Sequence, residues 1–138
     1  MKITINDFLY ENIKNKEQIL INKLLSFDDK YVKIGLEEEY ELDRMINNGI
    51  IFENKIIILK GEFGKCHRNV ATKYRNLKNK NFKIATGYAL NDEHIWIQHS
   101  WGLDKNNILI ETTGNKYLKY YGYILDKDES DDFCFYNY

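Results

Sequence analysis

"GEFGKCHRNVATKY", residues 61 to 74, places a cysteine where a glycine-punctuated loop runs into a helix. Cys66, Val70, Tyr74 and Leu77 follow one another by four, four and three residues, so they share a face, and the spacing predicts a helix from about Cys66 to Leu77. A cysteine opening that stripe has two physical readings. It is the first apolar residue of a core face, a common place for a small polarisable side chain. Alternatively it is a nucleophile, because the N–H groups and macrodipole at a helix N-terminus favour the thiolate. Those N–H groups could also hold the oxyanion of a tetrahedral intermediate. Gly61 and Gly64 would let the loop bring a substrate's backbone close to the sulfur.

Upstream of this stretch the pattern is mostly helical. Residues 6 to 26 read as an amphipathic helix capped by Asn6, with Leu9, Ile13, Leu20 and Leu24 at helical spacing. "LEEEYELDRMI" predicts a second helix, closed by "NNG" at 47 to 49. "IIFENKIIILKG" shows two β-rich runs around Glu53–Asn54, the pattern of a hairpin. Downstream come four strands, "FKIATGYAL", "HIWIQHSWGL", "NILIETT" and "KYLKYYGYIL". The acidic "DKDESDD" at 126 to 132 reads as an exposed loop and "FCFYNY" as a last strand or docked tail. Helices first and an antiparallel sheet last make an α+β fold, with the cysteine-bearing helix packed on the sheet.

The chain has 138 residues, enough for one domain with a real core, and no repeat or linker divides it. It reads as a single domain, 1–138, in which 61–125 form the functional core and 1–60 a helical and hairpin extension. Apolar residues make up 43% and charged residues 30%, a globular balance. A net charge of -1 argues against a nucleic-acid partner, although Lys73, Arg75, Lys78 and Lys80 form a local basic run. No stretch approaches the roughly 20 apolar residues of a membrane span, and the N-terminus lacks the apolar core of a signal peptide. Two cysteines are too few for a disulfide scaffold, so a cytoplasmic location is expected.

A nucleophilic cysteine needs a base, and there are three histidines. His67 follows Cys66 directly, and neighbours on a helix point about a hundred degrees apart, so it belongs at the rim. His94 and His99 share a strand but face opposite sides. His99 keeps company with Ile95, Ile97 and Trp101, an inward face that excludes water, whereas His94 is in register with Trp96, Gln98 and Ser100. His99 is the better base. Glu111, in an apolar run of the next strand, is the acid to orient it, because a buried carboxylate requires a partner. Partners on one face require an even residue sum, which 99 and 111 satisfy if the turn is centred on Lys105 and Asn106 takes positive φ. A two-residue turn would instead leave Asp104 or Thr112 to orient His99.

The order cysteine, histidine, acid on helix, strand, strand resembles the core of the papain-like superfamily, in its compact transglutaminase-like branch. "KCHRNV", "HSW" at 99 to 101 and "IETT" at 110 to 113 carry the resemblance, which covers about residues 61 to 125. The family acid is usually Asp, and here it is Glu. The resemblance implies a cysteine-dependent hydrolase or acyltransferase acting on a protein or peptide amide without a cofactor. By family, Cys66 attacks the carbonyl to give a thioester, His99 shuttles the proton and Glu111 orients His99; Asn69, Gln98 and Trp101 are the further oxyanion or site-lining candidates.

Two other readings stand beside it. Cys66, His67, His99 and Cys134 offer metal ligands, although no local C-x-x-C or H-x-x-x-H pair anchors them. Eleven tyrosines and two tryptophans could build a recognition surface, making the chain a binding module, such as a phage or mobile-element protein that captures a host protein or small ligand.

Overall fold

The structure, a computed structural model, describes residues 5–28, 30–62, 64–77 and 81–137, and of residues 5–9 the backbone alone. The expected cap at Asn6, the side chain of Leu9, and Lys78 and Lys80 of the basic run therefore lie outside the described side chains. Among the described residues the fold is α+β. The elements in chain order are α1 (Ile5–Phe27), β1 (Tyr31–Lys33), α2 (Glu39–Asn48), β2 (Ile50–Ile51), β3 (Ile56–Ile58), α3 (Cys66–Leu77), β4 (Lys83–Leu90), β5 (Ile95–Leu103), β6 (Leu109–Glu111), β7 (Lys119–Ile124) and α4 (Lys127–Tyr136).

Six of the strands run in the order β2-β7-β4-β5-β6-β3, and β1 pairs with β5 off that path. The expected hairpin at 50 to 61 does not form. β2 pairs antiparallel with β7, while β3 pairs parallel with β6, so the two runs sit at opposite ends of the path. Five strand spacings would separate those ends by about 24 Å in a flat sheet. The chain from Ile51 to Ile56 reaches at most about 18 Å. The sheet must therefore curl until its two edges approach. Phe52 fastens the crossing from inside: its N–H donates to Tyr120 O at 2.9 Å and its ring packs edge-on to Trp101. The sheet is accordingly mixed rather than antiparallel, since β1 also runs parallel to β5.

Curling gives both faces of the sheet a core. On the outer face Ile84, Tyr88, Trp96, Ile110, Tyr121 and Tyr123 pack under the helices with Leu20, Leu24, Leu42, Met45 and Val70. On the inner face Ala85, Ala89, Trp101, Leu103, Leu109 and Tyr120 close around Phe52 and Tyr117. β5 is thus buried on both sides, and Trp96 and Trp101 are both fully inaccessible. The inward face expected around His99 is therefore one of two buried faces of this strand, since the opposite face is covered by the helices.

The acidic segment expected as a loop is helix α4. Asp126 accepts from the Glu129 N–H at 2.8 Å, and Glu129 accepts from the Asp126 N–H at 3.0 Å, a reciprocal capping box. Asp128 and Glu129 sit in the first turn, where the helix dipole favours negative charge. Ser130 and Cys134, four apart, are buried, which docks α4 on the core. α2 likewise starts later than expected, after a capping box between Glu38 and Glu41.

Candidate active site

Cys66 is the first residue of α3 and is partly exposed. Its helix is entered from β3 along a loop that hugs β6. Leu59 N donates to Glu111 O at 2.8 Å, and the Asn69 amide donates to Glu62 O and Thr112 O, each at 3.1 Å. A Cβ on Gly61 would fall on the Thr112 carbonyl oxygen. The glycine at 61 therefore serves a close approach to the chain's own β6 end rather than to a substrate. Gly64 takes a left-handed turn, with φ of 76°, and nothing would meet a side chain there.

β5 and β6 pair through Gly102↔Ile110 and Leu103↔Leu109. That register is even, so His99 and Glu111 share the inner face as expected. The turn, however, is centred on Asn106, and Asn107 rather than Asn106 takes positive φ, at 59°. Asp104 sets this longer turn: its carboxylate accepts from Asn106 N at 2.8 Å and Ile108 N at 3.0 Å. Asp104 is thereby occupied and takes no part in orienting His99.

His99 Nε2 lies 2.7 Å from Glu111 Oε1, with both side chains buried. Tyr120 OH also donates to Oε1 at 2.9 Å, and Thr113 donates to Oε2 through its N–H at 3.0 Å and its hydroxyl at 2.7 Å. Burial raises the Glu111 carboxyl, but the His99 hydrogen bond and charge outweigh it and hold it below its ordinary value. Trp101, Tyr117 and Tyr120 surround the imidazole, the Tyr117 ring closest at 4.5 Å between centroids. Since Nε2 faces Glu111, Nδ1 is the nitrogen left for Cys66, whose thiol helps to raise the His99 value.

Burial opposes ionisation of Cys66, yet hydrogen bonds from His67 and then His99, with their charges, bring its thiol down to about 5. Burial also opposes protonation of His99. Its bonds to Cys66 and Glu111 prevail and raise it to about 9. Between those values the favoured state is thiolate and imidazolium. The N–H groups of Cys66, His67 and Arg68 precede the first intrahelical bond, made by Asn69 N to Lys65 O. Such first-turn N–H groups point toward the space beside the sulfur, where an oxyanion would form.

The structure brings Cys66, His99 and Glu111 together. It does not bring in the other three candidates in the same way. Asn69 spends its amide on the loop carbonyls. Gln98 lies on the outer face, where it donates to Glu37 at 2.7 Å. Trp101 lies nearly parallel to the His99 ring at 6.2 Å between centroids, a wall rather than a hydrogen-bond partner. Sequence reasoning missed Thr113 and Tyr120, the partners that complete the Glu111 shell; the second Thr of "IETT" was the signal for the first. Cys134 sits on α4 with its thiol toward Ala71 O at 3.6 Å. Among the described residues no group of three or more His, Cys, Asp or Glu side chains is arranged to hold a metal ion. No described helix is long and apolar enough to cross a membrane. Comparison of the chain with protein-family models, with curated proteins and with solved structures gave no match.

Proposed function

We propose that the protein is a cysteine-dependent hydrolase or acyltransferase acting on an amide bond, built on a papain-like, transglutaminase-like core. The observation that carries this reading is the buried His99–Glu111 pair at 2.7 Å, with the helix-terminal Cys66 thiol lowered by its interaction with the same histidine. The thiolate sulfur attacks the amide carbon, and the carbonyl electrons move to an oxygen facing the first N–H groups of α3. As the tetrahedral intermediate collapses, the C–N bond breaks and His99 gives its proton to the departing nitrogen, leaving a thioester on Cys66. Glu111 holds the ring in place and stabilises its cation. Water or an amine then resolves the thioester, giving hydrolysis, deamidation or transamidation.

Alkylation of Cys66 by iodoacetamide across pH, followed by mass spectrometry with Cys134 as internal control, tests the reading. An ordinary thiol titrates near about 8.5, whereas a paired one reacts as thiolate well below neutrality. Fast labelling at mildly acid pH that is lost in His99→Ala supports a nucleophile. A Cys66 that titrates like a free thiol in both proteins sinks it.

A further inference from the structure

His67 was expected at the rim, pointing away from its neighbour. Instead it acts on the Cys66 thiol together with His99, and its influence is the larger of the two that lower the thiol. They approach from the two sides of β5. His99 belongs to the inner face, 2% exposed among aromatic rings. His67 lies over the outer face, where its Nδ1 is 2.6 Å from Ser100 Oγ, and Ser100 in turn meets Thr86 Oγ1 at 2.8 Å. Phe133 of α4 packs edge-on to the His67 ring at 5.6 Å between centroids. A serine on one nitrogen and an aromatic edge against the ring hold it in one orientation, as a working imidazole requires.

His67 also lines a cavity of about 520 Å³ between α2, α4 and the outer sheet face. Glu38 and Glu41, at the cap and first turn of α2, and Glu129 and Asp132 of α4 line the same space.

We infer that His67 is a second catalytic histidine, the base that resolves the thioester for a water or amine entering through this cavity. The inference rests on the cysteine-nucleophile reading above. In this step the attacking O–H or N–H gives its proton to His67, and its lone pair forms the new bond to the thioester carbon. The intermediate collapses with the C–S electrons returning to Sγ. The proton then passes by way of the thiolate from His67 to His99, and restores the starting thiolate–imidazolium pair. No oxidant or further reactant is needed.

The test uses p-nitrophenyl acetate as acyl donor at about pH 8, where the thiolate persists even if the His67 bond is lost. Its first turnover reads acylation of Cys66 and its steady state reads resolution. His67→Gln retains a side chain able to bond Ser100 but cannot take up the proton. Its burst is expected within a few-fold of wild type while the steady state falls on the order of 100-fold. Acetyl-Cys66 should then accumulate in the mass spectrum. Equal loss of both phases, or no loss in the second, overturns the role and leaves the nucleophile reading intact. No burst in the wild type overturns that parent reading, and this inference with it. If circular dichroism shows His67→Gln unfolded, Ser100→Ala takes its place: it frees the ring, and a selective fall in the steady state supports the role while unchanged kinetics overturn it.

Discussion

Taking the Glu111 carboxylate out of water costs several kcal/mol unless hydrogen bonds replace its hydration. Here His99, Tyr120 and two groups of Thr113 supply four donors to its two oxygens. The arrangement ties the charge state of His99 to that carboxylate. Below about 5 the Cys66 thiolate takes up its proton, and above about 9 His99 gives its own away, so the reactive pair spans that window. Glu111→Gln should lower the upper boundary and raise the lower one. In ¹⁵N-histidine spectra the His99 titration is expected to move at least about one unit toward 6.5, with roughly tenfold slower alkylation of Cys66 at mildly acid pH. A His99 titration that stays put would show that Glu111 does not govern it. Cys66 and Glu111 were both legible from residue type and spacing. His67 was not, because the angle between neighbours on a helix describes where Cβ atoms point and not where two flexible side chains meet around a sulfur.

At the level of elements, the loop that delivers α3 is held to β6 largely by one side chain. Asn69→Ala should leave the Glu62 and Thr112 carbonyls without their donor and lower stability in urea by about 1–2 kcal/mol. No change in the urea midpoint would mean that water replaces the amide fully. Glu37, ahead of α2, makes a different prediction. Burial first, then neighbouring Glu41, raises its carboxyl from 4.5 to about 8, although Gln98 and Tyr88 hydrogen-bond to it. The folded protein keeps a proton there that the unfolded chain releases above 4.5. That contribution is complete at low pH and is lost as pH rises toward about 8. Glu37→Gln should therefore flatten the fall in urea midpoint between those values, and parallel profiles for the two proteins would refute the assignment. α3 was legible because its apolar stripe, entry glycine and length agree. α4 was misread because its acidic run looks solvated, although Asp126 and Glu129 already carried a capping-box signature.

For the molecule as a whole, the outer core under the helices and the inner core around Trp101 share one curled sheet. Neither forms without β4, which pairs with β5 from Lys83↔Leu103 to Leu90↔Trp96 and with β7 from Ala85↔Ile124 to Leu90↔Lys119. Unfolding should therefore be a single cooperative event. Trp96 reports the outer core and Trp101 the inner one, so Trp101→Phe and Trp96→Phe leave one fluorescent probe in each. Each variant should show a urea transition by fluorescence that coincides with its own transition by circular dichroism. Separated transitions in either would mean that the layers unfold independently. Arg44 adds a tie across the surface: its guanidinium meets Glu129 at 3.0 Å and donates to Ile124 O, joining α2 to α4 and the end of β7.

Local order settles what one sequence can settle by itself. The helix at Cys66, the four strand segments after it, the α+β class and the shared face of His99 and Glu111 depend on periodicity, turn residues and parity, all properties of neighbouring residues. The partners of β2 and β3 depend on which of several β-rich runs each meets. Those partners, β7 and β6, lie tens of residues away, and only closure of the sheet, forced by the short crossing at Phe52, selects them. The same closure buries both faces of β5 and sets His67 and His99 on opposite faces of that strand. Tertiary structure alone decides that arrangement, because it arises where α3, the two faces of β5 and the end of β6 meet in space.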